Sequence, residues 1–504
     1  MRIEKTYRIN PEEKIVFNNN VDFCVGTGRM GLALQREYFE QLKLVQKYIG
    51  FKHIRGHGLF HDDMAIYREG FNWFTKEITY RDHCFTYLDM VMDSYREVGL
   101  KPFLELGFMP ERLASSNNRV FVWGGHTCPP KDYALWKDLV QATLRHLMER
   151  YGADEAVTYP IEVWNEPNLP GFWEKADMQA YFKLFDETFA AVKEVDPRFK
   201  VGGPAVCGGS DEVWIKAFMD HCKEKGIALD FVTRHHYTTE QPDRQGHYVY
   251  QELMDPEAGF ANLQTTRDII DSHPEYKGLP IHITEFNTSY SPDNPIHDTN
   301  RNAAFLCHQL SRLGDINESY SYWTFGDIFE EVGVPFAPFH GGFGLVANGC
   351  IPKPTFWSFA FFKDIKGGEC VHRTDDAVIV MDGDTYKGVI WNHGLKREGK
   401  ELDISFAIPA NGDYSLIVKT VDENTCNPLK VWHDLGEPRS LTPAQKELLQ
   451  ASAYPLITSD RIHADGEVTL SFDLPEFGVK YFELTPAPLT PDRGFDYERA
   501  VQLD

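Results

Sequence analysis

With 504 residues the chain exceeds one ordinary domain, although a (β/α)8 barrel of about 250 residues or more absorbs half of it, so two or three domains are expected. Hydrophobic residues at 42% and aromatics at 13% supply a large core. The balance of 51 basic against 75 acidic residues gives a formal charge of −24, which excludes nucleic acid and anionic membrane surfaces as partners and favours a neutral substrate.

At the N-terminus, Met1 to Arg8 shows no apolar leader, and no run of about 18 apolar residues occurs further on, so a cytoplasmic location is expected. The nine cysteines are odd in number, scattered and without a CxxC pair, which indicates neither a disulfide framework nor a zinc site. Residues 1–20 read as a short strand with polar flanks. From Val21 one theme repeats, an apolar strand ending in Gly, His, Asn or Glu, followed by a helical stretch. Eight strands are predicted, at 21–25, 52–55, 101–106, 160–165, 199–203, 230–235, 280–284 and 319–324. Between them, residues 36–49, 85–98, 131–151, 178–195 and 212–226 place apolar residues at helical spacing.

Strands alternating with helices imply parallel pairing through right-handed crossovers. The competing doubly wound sheet is disfavoured because no GxGxxG or P-loop follows any strand. After about residue 350 the pattern changes to short alternating segments at 377–381, 386–392, 402–407, 414–421 and 468–472, the signature of an antiparallel β-domain. A helical insert fits 442–453, with Thr442 as N-cap and Pro443 in the first position. The tail from Thr485 onward, rich in Pro and charge, reads as an arm packed on another element or subunit. The expected division is a catalytic barrel over 21–350 and an accessory β-sandwich built from 1–20 with 351–504.

In a barrel the strand C-termini share one face. Sorting polar residues by strand end collects Arg55 and His57 from the second strand, Asn165 and Glu166 from the fourth, Arg234 to Tyr237 from the sixth, Glu285 from the seventh and Trp323 from the eighth. Pro167 biases Glu166 toward an extended conformation and ends its strand. Two carboxyls in one cleft suit glycoside hydrolysis, where one acid stays protonated to assist the leaving oxygen and the other is ionised. A spacing of about 5 to 5.5 Å between them retains anomeric configuration, and about 6.5 to 9.5 Å inverts it. Asn165 suits a sugar 2-hydroxyl, Tyr237 and Arg55 suit contact with Glu285, and Trp323 suits a sugar ring, each with a purely structural alternative. The histidines raise a metal reading that no ligand spacing supports, so neither metal nor cofactor is expected.

Trp164-Asn165-Glu166-Pro167-Asn168 and Ile283-Thr284-Glu285-Phe286-Asn287 resemble the acid/base and nucleophile motifs of the (β/α)8 retaining glycosidases. Together with Arg55-Gly56-His57-Gly58-Leu59, Arg234-His235-His236-Tyr237 and Tyr322-Trp323-Thr324-Phe325, they make residues 1 to about 500 resemble the bacterial β-xylosidases of glycoside hydrolase family 39. The resemblance implies a barrel with an accessory β-sandwich, a small helical extension and often a homotetramer. It implies Glu166 as acid/base and Glu285 as nucleophile, with Asn165, His57, His235, Tyr237 and Trp323 around the glycone and Phe172 bordering the aglycone. His236 departs from the family pattern, which carries a small residue there, and the glycone role falls to His235. The implied activity is exo-acting, retaining removal of β-D-xylose from xylo-oligosaccharides. Iduronidase or arabinosidase activity of the same family is the near alternative, and a non-catalytic carbohydrate-binding barrel, which has no need of two acids, the distant one.

Overall fold

The computed structural model describes residues 1–488 and 494–502. Residues 489–493 and 503–504, part of the tail read as an arm, lie outside the described residues. Eight parallel strands form a closed barrel in chain order: Cys24–Thr27, His53–Gly56, Lys101–Pro102 continuing as Leu104–Leu106, Ile161–Val163, Val201–Val206, Phe231–Tyr237, Ile281–Asn287 and Ser319–Tyr322. Closure runs through the third strand. Its first half pairs with the second strand and its second half with the fourth, the change marked by Phe103 N donating to Ile54 O and Leu104 N to Pro160 O, both at 2.8 Å. The eighth strand returns to the first through Tyr322 opposite Val25.

The predicted helices are present as Arg36–Tyr48, Thr86–Glu97, Tyr133–Tyr151, Met178–Val195 and Asp211–Lys225, and Pro256–Asp271 and Asn300–Arg312 follow the sixth and seventh strands. Side chains of Asp132, Asp177, Asp255 and Thr299 accept from the first-turn amides of four of them, which fixes where those helices begin. Helix Pro354–Asp364 follows the eighth strand and is buried from Pro354 to Phe362, because it is apolar all round and covered on both sides. Phe359 packs on Phe286 and Tyr322 of the barrel, whereas Phe361 and Phe362 pack on Tyr481 and Trp391 beyond it.

Those last two rings belong to a separate β-sandwich whose strands are linked into one seven-stranded sheet with its own core, including Ile379, Ile390, Ile404, Phe406, Phe472 and Phe482. Strand Arg2–Arg8 joins it, parallel to Glu401–Val421. The expected short strands at 402–407 and 414–421 are one continuous strand, Glu401–Val421, paired along its length with Leu456–Leu474. Pro409 and Gly412 do not break it. On the opposite edge, pairing with Arg2–Arg8 ends at Ala407 and pairing with Val479–Pro486 begins at Tyr414, so the missing N–H of Pro409 falls in a gap that demands no donor. The helical insert contains Pro443–Ser452, where Thr442 and Gln445 form a reciprocal capping box.

Candidate active site

The polar residues at the barrel strand ends surround one buried guanidinium. Arg55, wholly buried, donates from Nε to Glu162 Oε2 at 2.6 Å, from Nη1 to Glu285 Oε1 at 2.7 Å and from Nη2 to Asn165 Oδ1 at 2.8 Å, with Glu105 Oε2 2.9 Å from Nη2. Burial alone works against its charge, but Glu162, Glu105 and Glu285 outweigh that and hold Arg55 above its ordinary value. Burial likewise works against ionisation of Glu105, and His57 and Arg55 reverse it to a net lowering. Thr284 donates to the second oxygen of Glu162 at 2.7 Å, so both Glu162 oxygens are bonded inside the barrel, whereas Glu105 Oε1 has no protein partner.

Above this layer stand the two acids singled out by the sequence. Glu285 Oε2 accepts from the Tyr237 hydroxyl at 2.8 Å while Oε1 accepts from Arg55, so both oxygens are bonded as a carboxylate's are. Glu166 Oε1 lies 2.8 Å from His235 Nδ1, which is also 3.4 Å from Glu285 Oε2. Burial pushes the Glu166 carboxyl up to about 7 and the His235 imidazole down to about 4. His235 is therefore neutral, and with Nε2 lacking a protein partner its proton belongs on Nδ1, facing the carboxyls. Glu166, His235 and Glu285 each place one ligand-type atom within 4.8 Å of the others. That set is poorly suited to a cation, because both Glu285 oxygens are already taken and the Arg55 charge sits 2.7 Å away.

The expected extended conformation of Glu166 is not what the chain adopts. Glu166 has φ of 42°, in the left-handed region, its N–H donating to Ala205 O at 2.9 Å and its C=O accepting from Leu169 N at 3.0 Å. Pro167 does exclude the right-handed helical region, but a turn after Val163, rather than a longer strand, takes its place.

The other predicted residues divide in two. His57 Nδ1 sits 2.7 Å from Glu105, and its Nε2 is 3.6 Å from Glu285 Oε1. Trp323 closes the floor, 4.7 Å from the His57 ring, and lies flat against the first strand because Gly26 offers no Cβ, which would stand 2.5 Å from Trp323 Cε3. Phe172 borders the rim, its ring 5.4 Å from Phe121 and its carbonyl accepting from Trp164 Nε1. His236 and Arg234, in contrast, leave the site. Alternation along the sixth strand turns His235 inward and its neighbours outward, so Arg234 pairs with Asp211, Thr266 and Asn262, and His236 faces Gln309.

Three carboxylates escaped the sequence reading. Glu105 and Glu162 carried a signal, a lone acid inside an otherwise apolar barrel strand. Glu331 carried none, since it comes from the loop after the eighth strand, yet its Oε1 is 3.7 Å from His57 Nε2. Burial, then the charges of Glu285, Glu166 and Glu105, push Glu331 well above the usual carboxyl range.

Comparison with known proteins agrees with this geometry. Residues 8–469 match the family model of glycosyl hydrolases family 39. A β-xylosidase of Geobacillus stearothermophilus is 46% identical over 481 residues, 94% of each chain, and a β-xylosidase of Caldicellulosiruptor saccharolyticus is 34% identical over 85% of this chain and 87% of its own. The crystal structure of a monomeric β-xylosidase from Caulobacter crescentus CB15 superposes with a TM-score of 0.86 at 32% identity, covering 97% of this chain and 100% of that one. A (β/α)8 barrel with an accessory sandwich, two acids at its mouth and this similarity along most of its length together place the chain in glycosyl hydrolases family 39.

Proposed function

We propose that the protein is an exo-acting, retaining β-D-xylosidase that removes terminal xylose from short xylo-oligosaccharides. The observation that carries this reading is the pair Glu166 and Glu285, with one oxygen of each inside a 4.8 Å cluster and environments that set them apart. That separation suits direct attack better than the wider gap that holds an extra water. Glu285, bonded at both oxygens, attacks the anomeric carbon, while Glu166, protonated through burial, gives its proton to the leaving oxygen. The Glu166 carboxylate then takes a proton from water, the hydroxide attacks the anomeric carbon, and Glu285 leaves with its electron pair. Asn165 has its oxygen on Arg55 and its amide nitrogen left for the sugar 2-hydroxyl; His57, His235, Tyr237 and Trp323 surround the same ring, and Phe172 borders the leaving group.

Xylose is favoured over a carboxylated sugar on electrostatic grounds. Arg55 is saturated by its own carboxylates, and Glu105 and Glu285 would repel a second anion. The β-xylosidase relatives support the same glycone. A homotetramer belongs to this reading as what the family resemblance implies; the exposed Phe495, Tyr497 and Val501 offer apolar surface for self-association, and sedimentation reads the subunit number. The nine unpaired cysteines support a reducing cytoplasm. No described helix is long and apolar enough to cross a membrane.

A panel of aryl glycosides tests the activity. Aryl β-xyloside should be the best substrate among xyloside, arabinoside, glucoside and iduronide, and Glu285→Ala should be inert on all. Wild type as inert as Glu285→Ala throughout would replace the enzyme with a carbohydrate-binding barrel.

A further inference from the structure

Loops around the mouth of the barrel share one cation. Arg29, in the loop after the first strand and 16% exposed, donates from Nε to Asp63 Oδ2 at 2.8 Å and from Nη1 to Glu330 Oε2 at 2.6 Å. Asp63 follows the second strand and Glu330 the eighth. The guanidinium also lies 5.9 Å over Trp123, which follows the third strand, stacks on Phe108 and packs at a tilt against Phe121. Two backbone bonds tie this ring to the site, Met30 N to His57 O at 2.9 Å and Val122 N to Glu331 O at 3.0 Å. Loops one and eight also touch at Gly28, where a Cβ would stand 3.0 Å from the Phe329 ring.

Glu330 and Glu331 thus point to opposite sides of one loop, the first out to Arg29 and the second in toward His57. We propose that Arg29 is a positioning residue for specificity. By clamping the loops after strands one, two, three and eight, it holds Glu331 in toward His57 at the end of the cleft, so that a single terminal pentose fits and a ring bearing an exocyclic hydroxymethyl does not. This rests on the xylosidase reading above. Two ion pairs from one planar guanidinium to two different loops make a rigid bridge that Lys, reaching one partner at a time, reproduces only in part.

The test is steady-state kinetics of Arg29→Gln, Arg29→Lys and Glu330→Gln on aryl xyloside and aryl glucoside, with thermal melts alongside. Arg29→Gln should raise KM for the xyloside about 10-fold with kcat within about 2-fold, and should shrink the xyloside-to-glucoside ratio of kcat/KM about 10-fold. Arg29→Lys should recover part of both. Glu330→Gln, which cuts only the link to loop eight, should move both in the same direction and serves if Arg29→Gln does not fold. Unchanged KM and ratio in a folded variant would overturn the clamp, as would a fall in kcat alone. Should wild type prefer another glycoside, the xylosidase reading fails separately, and the clamp is then judged on that preferred sugar's KM and selectivity.

Discussion

His235 Nδ1 lies 2.8 Å from Glu166 Oε1, and through this contact a neutral imidazole faces an acid that burial keeps protonated near neutrality. The pair defines a donor pointed into the cleft, with Glu285 on its far side.

Because burial lifts Glu166 to about 7, the proton that its proposed role as acid requires is present below that pH and lost above it. kcat/KM for aryl xyloside should fall on an alkaline limb near 7. Glu166→Gln should remove the limb while keeping residual turnover of a dinitrophenyl xyloside, which needs no acid. Stability is linked in the same direction. A folded value of about 7 above an ordinary 4.5 means that the Glu166 contribution is full below pH 4.5 and lost as pH rises through 7. Relative to Glu166→Gln, wild type should lose on the order of 3 kcal/mol across that window, read by denaturant melts at a series of pH values.

Tyr237→Phe removes one donor from Glu285 Oε2 and leaves the ring in place. A donor lost from a reacting oxygen costs about 10- to 100-fold in kcat, whereas one neutral hydrogen bond contributes only about 1 kcal/mol to stability. Rate and melting temperature should therefore separate, with kcat falling while the melt moves by a few degrees. A wild-type kcat would show that Tyr237 is structural.

Arg55→Met strips the shared cation from Glu105, Glu162 and Glu285, all three nearly or wholly buried. Uncompensated buried charge costs about 3–5 kcal/mol, so the variant should unfold at markedly lower denaturant as well as losing activity. Lowering the pH should narrow its deficit against wild type, since protonation removes the stranded charges. A pH-independent deficit would contradict this reading of the layer.

The eight barrel strands were legible because each is an apolar run between amphipathic helices, and the two motif acids because both stand at strand ends, where a barrel gathers its polar groups. The partition of the sixth strand into inward His235 and outward Arg234 and His236 follows from alternation, but its phase depends on packing against Gln309 and Asp211, which sequence does not display. Glu331 was invisible because a loop residue owes its place to contacts from other loops, here Val122 and, through Glu330, Arg29. The left-handed turn at Glu166 was hidden for a related reason. Pro167 removes one conformation, and the bond from Glu166 N to Ala205 in the fifth strand selects among those that remain.

The most direct test of the Glu166 and Glu285 pairing is azide rescue of aryl xyloside hydrolysis, with the anomer of the product read by proton NMR. With Glu285 in its proposed role of nucleophile, Glu285→Gly should yield the α-xylosyl azide, because azide displaces the leaving group from the face that Glu285 occupied. Glu166→Ala, in which the sugar is first carried on Glu285, should yield the β-azide. Reversed anomers would exchange the two roles, and hydrolysis of wild-type substrate with inversion would contradict double displacement altogether.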